Sequence, residues 1–244
     1  MKFSFTKVLA LTKKELYSWF YSPAFYGITV FFLLFVSVWF FYLQRFFAMD
    51  TATLRPFFSA FPLAFILVIP VITMKSWAEE KKLGSLEILL TLPFSEWELC
   101  VGKFLSAYGV LFIILALTLP VPLSLLPLGA FDPGVIAGEY AGVLLLGSSA
   151  VSLGLLLSAL SKNQAGAFLG SAVVLMAVML VNQIGFSAGL PSFLSGVVNY
   201  LSLSFHFESF SRGLLDSRDM AFFLVTTGLF LFLNTQVLIF RKWR

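Results

Sequence analysis

The chain is poor in the residue types on which soluble enzymes and metal centres draw. Its 244 residues include one cysteine, Cys100, and one histidine, His206. A single cysteine excludes an internal disulfide and a thiolate metal cage. A lone histidine leaves no imidazole cluster to hold a metal. Charged residues make up 11% of the chain, against roughly 25% in soluble globular domains. A phosphate-cradling G-x-x-x-x-G-K-[ST] loop is missing too. The Gly-Lys pair at Gly102-Lys103 is followed by Phe104 and opens an apolar run. The chain does not bind ATP by that loop.

What remains is apolar. Hydrophobic residues are 59% of the whole, with 30 phenylalanines. Runs of about 18 or more such residues fit a hydrocarbon layer roughly 30 Å thick. Six windows qualify, at 24–43, 57–74, 104–128, 140–160, 165–184 and 220–240, and none contains Asp, Glu, Lys, Arg or His. A β-barrel would show short alternating segments, so helices are the expected form. The spacing predicts an all-α integral membrane domain over 1–244 with six transmembrane helices.

The charges orient it. Lys2, Lys7, Lys13 and Lys14 precede the first window, and Lys75, Lys81, Lys82 and Lys103 lie between the second and third. Lys162 lies between the fourth and fifth, while Arg241, Lys242 and Arg244 follow the sixth. Arg45, Arg55, Arg212 and Arg218 fall on the opposite side, so 12 of the 16 basic residues share one face. The positive-inside rule makes that face cytoplasmic, with both termini inside. The net charge of +4 is therefore a topological signal and not a nucleic-acid footprint. The first window is too long, and lacks a small-residue cleavage site, for a removable signal peptide, and reads as a signal anchor.

Residues 5–20 predict an interfacial amphipathic helix. Phe5, Val8, Leu9, Thr12, Leu16 and Trp19 recur at helical spacing, with Lys7, Lys14 and Ser18 opposite, and Lys13 and Glu15 add to its polar character. Ser22-Pro23 turns the chain into the first span. Small residues four apart, such as Gly138/Gly142 and Ala150/Gly154, predict close helix packing in the fourth and fifth spans. Prolines from Pro120 to Pro127 predict a ragged end to the third span. Residues 189–204 are apolar but broken, and predict a re-entrant or surface hairpin on the outer side. From His206 onward, Phe207, Phe210 and Leu214 predict a helix leading to the last span, with His206 as a solvated loop residue.

The densest charge lies at 75–103, between the second and third windows. Trp77, Glu79, Glu80 and Lys81 continue the second span helically, and Gly84 interrupts it. Ser85 offers a cap to a short turn carrying Leu86, Glu87, Leu89 and Leu90, and Leu92-Pro93 stops it. Ser95 and Glu98 fit a capping box for the third span. Exposed leucines among glutamates suit a docking element for a soluble partner.

The run E-E-K-K-L-G-S-L-E-I-L-L-T-L-P-F-S-E-W-E-L-x-x-G-K-F resembles the first cytoplasmic connection of ABC-2 type permeases, the membrane subunits of ATP-binding-cassette exporters. The segment H-F-E-S-F-S-R-G-L-L-D resembles the branch holding gliding-motility permeases and the permease of nitrous-oxide-reductase maturation. The resemblance implies a fold like type V ABC exporters and a bacterial inner-membrane location. It implies that ATP and Mg are bound by a separate nucleotide-binding subunit, docked on 77–93 and on the interfacial helix. It also implies a second permease chain, identical or related. His206, Phe207, Phe210, Arg212, Gly213 and Asp216 become an outer lid or partner contact.

Three rival functions stand beside it. Gly147-Ser148-Ser149 with His206 would serve an intramembrane serine protease only if they met within hydrogen-bond reach. An ion-coupled carrier would place ionisable groups inside its spans, where the windows show none. A non-transporting assembly subunit is the third.

Overall fold

The computed structural model describes residues 4–48, 53–129, 131–187, 196 and 199–242. Among these residues the chain is helical and contains no strand, with six helices or helix pairs long and apolar enough to cross a membrane. The expected hairpin at 189–204 lies largely outside the described residues.

Helix α1, Phe5–Phe20, turns at Tyr21–Ser22 into α2, Pro23–Val38, where proline occupies the first turn as its missing N–H allows. A single π-helical turn, Trp39–Leu43, extends α2. The second span joins α3, Arg55–Phe58, to α4, Ala60–Leu83, and the short α5 spans Ser85–Thr91. The third span is α6, Glu96–Ala116, followed by α7, Pro120–Leu125. Its break at 117–119 is the ragged end that the prolines predict. Helices α8, Pro133–Leu160, and α9, Gln164–Ser187, follow. A short α10, Leu203–Ser211, precedes α11, Ser217–Lys242.

Helix α8 is the axis of the bundle. It packs on α4, α6, α9, α10 and α11, and every residue from Leu146 to Leu156 is buried. Its small residues permit this. A Cβ on Gly147 would lie 2.5 Å from Leu111 Cδ2, and one on Gly154 would lie 2.5 Å from Thr73 Oγ1. Backbone approach of that kind replaces the hydrophobic drive that lipid cannot supply. Hydroxyls finish the seam. Ser149 Oγ donates to Phe223 O at 2.9 Å and lies 3.0 Å from Thr226 Oγ1, while Ser148 Oγ lies 3.0 Å from Thr227 Oγ1.

Four expectations need correction. Ser85 does not cap α5; Gly84 precedes the helix with φ 70°, and Ser85 Oγ donates back to Glu80 O. The outer helix stops at Ser211, so Leu214 leaves the face of Phe207 and Phe210 and is exposed. His206 is not solvated but buried. The spans are not free of ionisable groups: α8 begins seven residues before the apolar window and carries Glu139, buried with neither carboxylate oxygen hydrogen-bonded among the described residues. Pro133 at the first helical position and Asp132 as N-cap, accepting from Gly134 N at 2.8 Å, set that earlier start.

Candidate functional site

At the α5 end of the bundle, α4 terminates because Gly84 takes the left-handed conformation that a side chain would resist. The chain reverses into α5 where, contrary to the expectation of exposed leucines, Leu86 and Leu89 turn inward onto the bundle and are buried. Glu87, Ile88 and Leu92 turn outward beside Leu83, with Ile88 67% and Leu83 71% exposed. The knuckle thus shows an apolar surface holding one carboxylate. The backbone of Leu90 is helical; its side chain lies outside the described residues. Pro93 is exposed, and its carbonyl accepts from Lys7 Nζ of α1. The capping box forms as predicted: Glu98 N donates to Ser95 Oγ at 3.2 Å, and Ser95 N donates to Glu98 Oε2 at 2.8 Å. Glu98 also accepts from Ser4 N at 2.6 Å, so one carboxylate ties the starts of α1 and α6.

The knuckle stands on a rigid base. Lys103 of α6, 2% exposed, places Nζ 2.7 Å from Glu80 Oε1 of α4 and 3.5 Å from Glu15 Oε1 of α1, and 4.9 Å from the centroid of the Trp77 ring. Lys81 Nζ donates to the carbonyls of Ser158 at 3.3 Å, Ser161 at 2.9 Å and Ala159, at the C-terminus of α8. A cation there satisfies carbonyls that have no helical partner and meets the negative end of the helix dipole. Ser158 Oγ accepts from the amides of Trp77 and Ala78, each at 3.2 Å. Trp77, Glu80 and Lys81 therefore bind the helices together, whereas Gly84, Glu87 and Pro93 are exposed. Ser85 is half-buried and Glu79 lines an adjoining crevice.

On α1, Lys13 and Lys14 are exposed, and Glu15 is turned to Lys103. The buried residues are Val8, Leu11 and Trp19. Leu11 packs on Gly102, where an added Cβ would come within 2.7 Å of Leu11 Cδ2, and Thr12 Oγ1 donates to Gly102 O at 3.2 Å. Phe5 and Leu9 remain exposed. Sequence reasoning missed Lys103, Leu11 and Ile88. Lys103 lies one residue before an apolar window and within the G-K-F that closes the family-like run, and neither signal points to a carboxylate partner. Its carboxylate partners sit 23 and 88 residues away, beyond any local spacing rule.

At the opposite end, His206 stacks on Phe222 with ring centroids 3.8 Å apart. Its Nδ1 lies 2.7 Å from Asp219 Oδ1 and its Nε2 lies 3.0 Å from Tyr200 O. Both ring nitrogens are thus occupied, and Ser148 and Ser149 are bonded to α11. The serines and the histidine do not form a nucleophile and base. Phe207 and Phe210 are buried, and Phe210 covers Gly142. Arg212 pairs with Glu208 at the surface, an arrangement of little energetic weight. Gly213 turns the chain at φ 74°, and Asp216 Oδ1 accepts from Arg218 N at 2.9 Å. Arg55 Nε donates to Ser211 O at 2.8 Å, fastening α10 to the start of the second span.

Comparison with known proteins converges on this architecture. The model of the family described as ABC-2 family transporter protein matches residues 9–233. Two curated relatives, each described as probable multidrug ABC transporter permease YbhR, come from Escherichia coli strain K12 and from Escherichia coli O157:H7. Each is 29% identical over 114 residues, which cover 47% of this chain and 30% of the relative. The chain thus spans under a third of the length of the curated relatives it matches. Since the family match takes in five apolar spans, most of the sixth, and the knuckle between the second and third, the chain is a multi-pass membrane protein of the ABC-2 transporter family.

Proposed function

We propose that the chain is the membrane permease of an ATP-driven exporter, powered by a nucleotide-binding subunit on a separate chain. The single observation carrying this reading is the knuckle. Leu83, Glu87, Ile88 and Leu92 present apolar anchors around a carboxylate, on a base tied into α1, α4, α6 and α8 by Lys103 and Lys81. A surface that moves as one body with four helices can pass a push from a docked motor to the bundle. Docking there extends to Gly84 and Pro93 and, through Lys7, to α1. Lys13 and Lys14 face the partner or the lipid headgroups.

In this reading the α5 end faces the cytoplasm, where most of the basic residues fall, in a bacterial inner membrane with both termini inside. ATP and Mg are held by the partner subunit. A second permease chain, the same or a related one, completes the pathway. The curated relatives are described as multidrug permeases, which suggests an apolar, drug-like cargo. The segment from His206 to Asp216, which resembles the gliding-motility and nitrous-oxide-reductase branch, serves as the outer lid.

The test is co-purification. Ile88→Asp and Glu87→Lys alter the free face and leave the buried Leu86 and Leu89 in place. Each is expected to give a folded chain whose affinity for its ATPase subunit falls about tenfold or more, as when an interface anchor is lost. If both variants retain the ATPase and transport at the original rate, the docking assignment fails.

A further inference from the structure

A crevice of about 480 Å³ opens beside the knuckle, between the last turn of α1, the Tyr21–Ser22 turn and the final turns of α4. Its charges are sorted. On the floor, two carboxylates, Glu15 and Glu80, share the single ammonium of Lys103. Glu80 Oε1 is engaged, but its Oε2 is buried with no hydrogen-bond partner among the described residues. Glu79 lines the same wall. The floor has more acceptors than donors. Lys75 lines the crevice as well, with Nζ 3.1 Å from Ser22 Oγ and 5.4 Å from the centroid of the Trp19 ring. No carboxylate among the described residues comes within ion-pair distance of it. The floor wants a cation and Lys75 wants an anion.

Position narrows the occupant. Trp19 and Tyr21 flank the crevice where the polar α1 gives way to the apolar α2, the depth at which aromatic belts meet lipid headgroups. A buried carboxylate oxygen left without a donor costs free energy that a ligand N–H recovers. From this geometry we infer that the crevice binds a zwitterionic phospholipid headgroup with a primary ammonium, of the ethanolamine type. The ammonium donates to Glu80 Oε2 and Glu79, and the phosphate meets Lys75 and the Ser22 hydroxyl. A choline headgroup has no N–H to give. A glycerol headgroup brings only an anion to a wall with three carboxylates. A free amine in solution lacks acyl chains to hold it at this depth. The bound lipid fills the wedge between the α1–α2 elbow and α4.

Native mass spectrometry of the purified chain tests this, using dioleoyl lipids that differ only in headgroup. Phosphatidylethanolamine is expected to stay bound, with retention falling stepwise through its N-methyl and N,N-dimethyl forms to phosphatidylcholine. Phosphatidylglycerol should be held no better than phosphatidylcholine. Glu79→Gln, which spares the Lys103 tie, and Lys75→Gln are each expected to lower phosphatidylethanolamine retention about tenfold, the scale of one charge-assisted hydrogen bond. The headgroup series needs no variant, so it decides even if a substitution unfolds the chain. Equal retention of ethanolamine and choline lipids, a preference for phosphatidylglycerol, or unchanged retention in Glu79→Gln overturns the assignment.

Discussion

Lys103 of α6 reaches Glu80 of α4 at 2.7 Å across a site where the lysine is 2% exposed. Glu15 of α1 stands on the other side of the same ammonium at 3.5 Å. Three elements that touch the knuckle therefore meet at one cation. Removing one partner of a buried pair leaves an uncompensated charge, a loss of about 3–5 kcal/mol. Lys103→Met is expected to lower stability by that amount, measured by unfolding in detergent. Adding Glu80→Leu to Lys103→Met should recover part of the loss, because it removes one of the stranded carboxylates.

The glycines of α8 and α9 are not equivalent. A Cβ on Gly154 meets Thr73, whereas one on Gly170 meets nothing within 4 Å. Gly154→Leu should prevent close packing of α8 on α4 and abolish a monodisperse folded species in size-exclusion chromatography. Gly170→Leu should leave it intact.

The serine–threonine seam between α8 and α11 should contribute modestly. Hydrogen bonds between membrane helices average about 0.6 kcal/mol and reach about 1.7 kcal/mol. Ser149→Ala is expected to fall in that range by unfolding in mixed micelles. A loss several times larger would mean that the seam does more than pack.

At the α10 end, Asp219 holds the imidazole of His206. Asp219→Asn keeps an acceptor and should be tolerated. Asp219→Leu orphans a buried ring nitrogen, a loss of about 1–3 kcal/mol. A cysteine placed at Ser209 in a Cys100→Ala background should then label faster in Asp219→Leu than in Asp219→Asn, because α10 has lost its anchor to α11.

Orientation is tested directly, since Cys100 is the one cysteine of the chain and is buried. In the Cys100→Ala background, a cysteine at Glu87 is expected to react with an impermeant maleimide only from the cytoplasmic side. One at Arg212 should react only from the outside. The reverse pattern would place the knuckle away from any ATPase and remove the basis of the proposed function.

The six spans could be read from the chain alone, because a run of apolar residues has one stable environment and a helix satisfies its own backbone within the run. The capping box at Ser95 and Glu98 and the break at Gly84 were equally readable, since their partners lie within three or four residues. Contacts across the bundle were not. Nothing near Lys103 in sequence announces Glu80 or Glu15, and nothing near Lys81 announces the carbonyls of Ser158 and Ser161. The short helix at 85–91 shows leucines at Leu86, Leu89 and Leu90 and an isoleucine at Ile88, but only packing on α4 decides that Leu86 and Leu89 are covered and Ile88 is free. His206 shows the same limit: the turn at Gly213 folds α10 back on α11, and a histidine with the sequence signature of a loop becomes buried. Local chemistry thus determined which runs form long apolar helices. Which charges are spent inside the bundle, and which remain to meet a partner, was decided by long-range packing, because an ion pair depends on distance in space and not on separation along the chain.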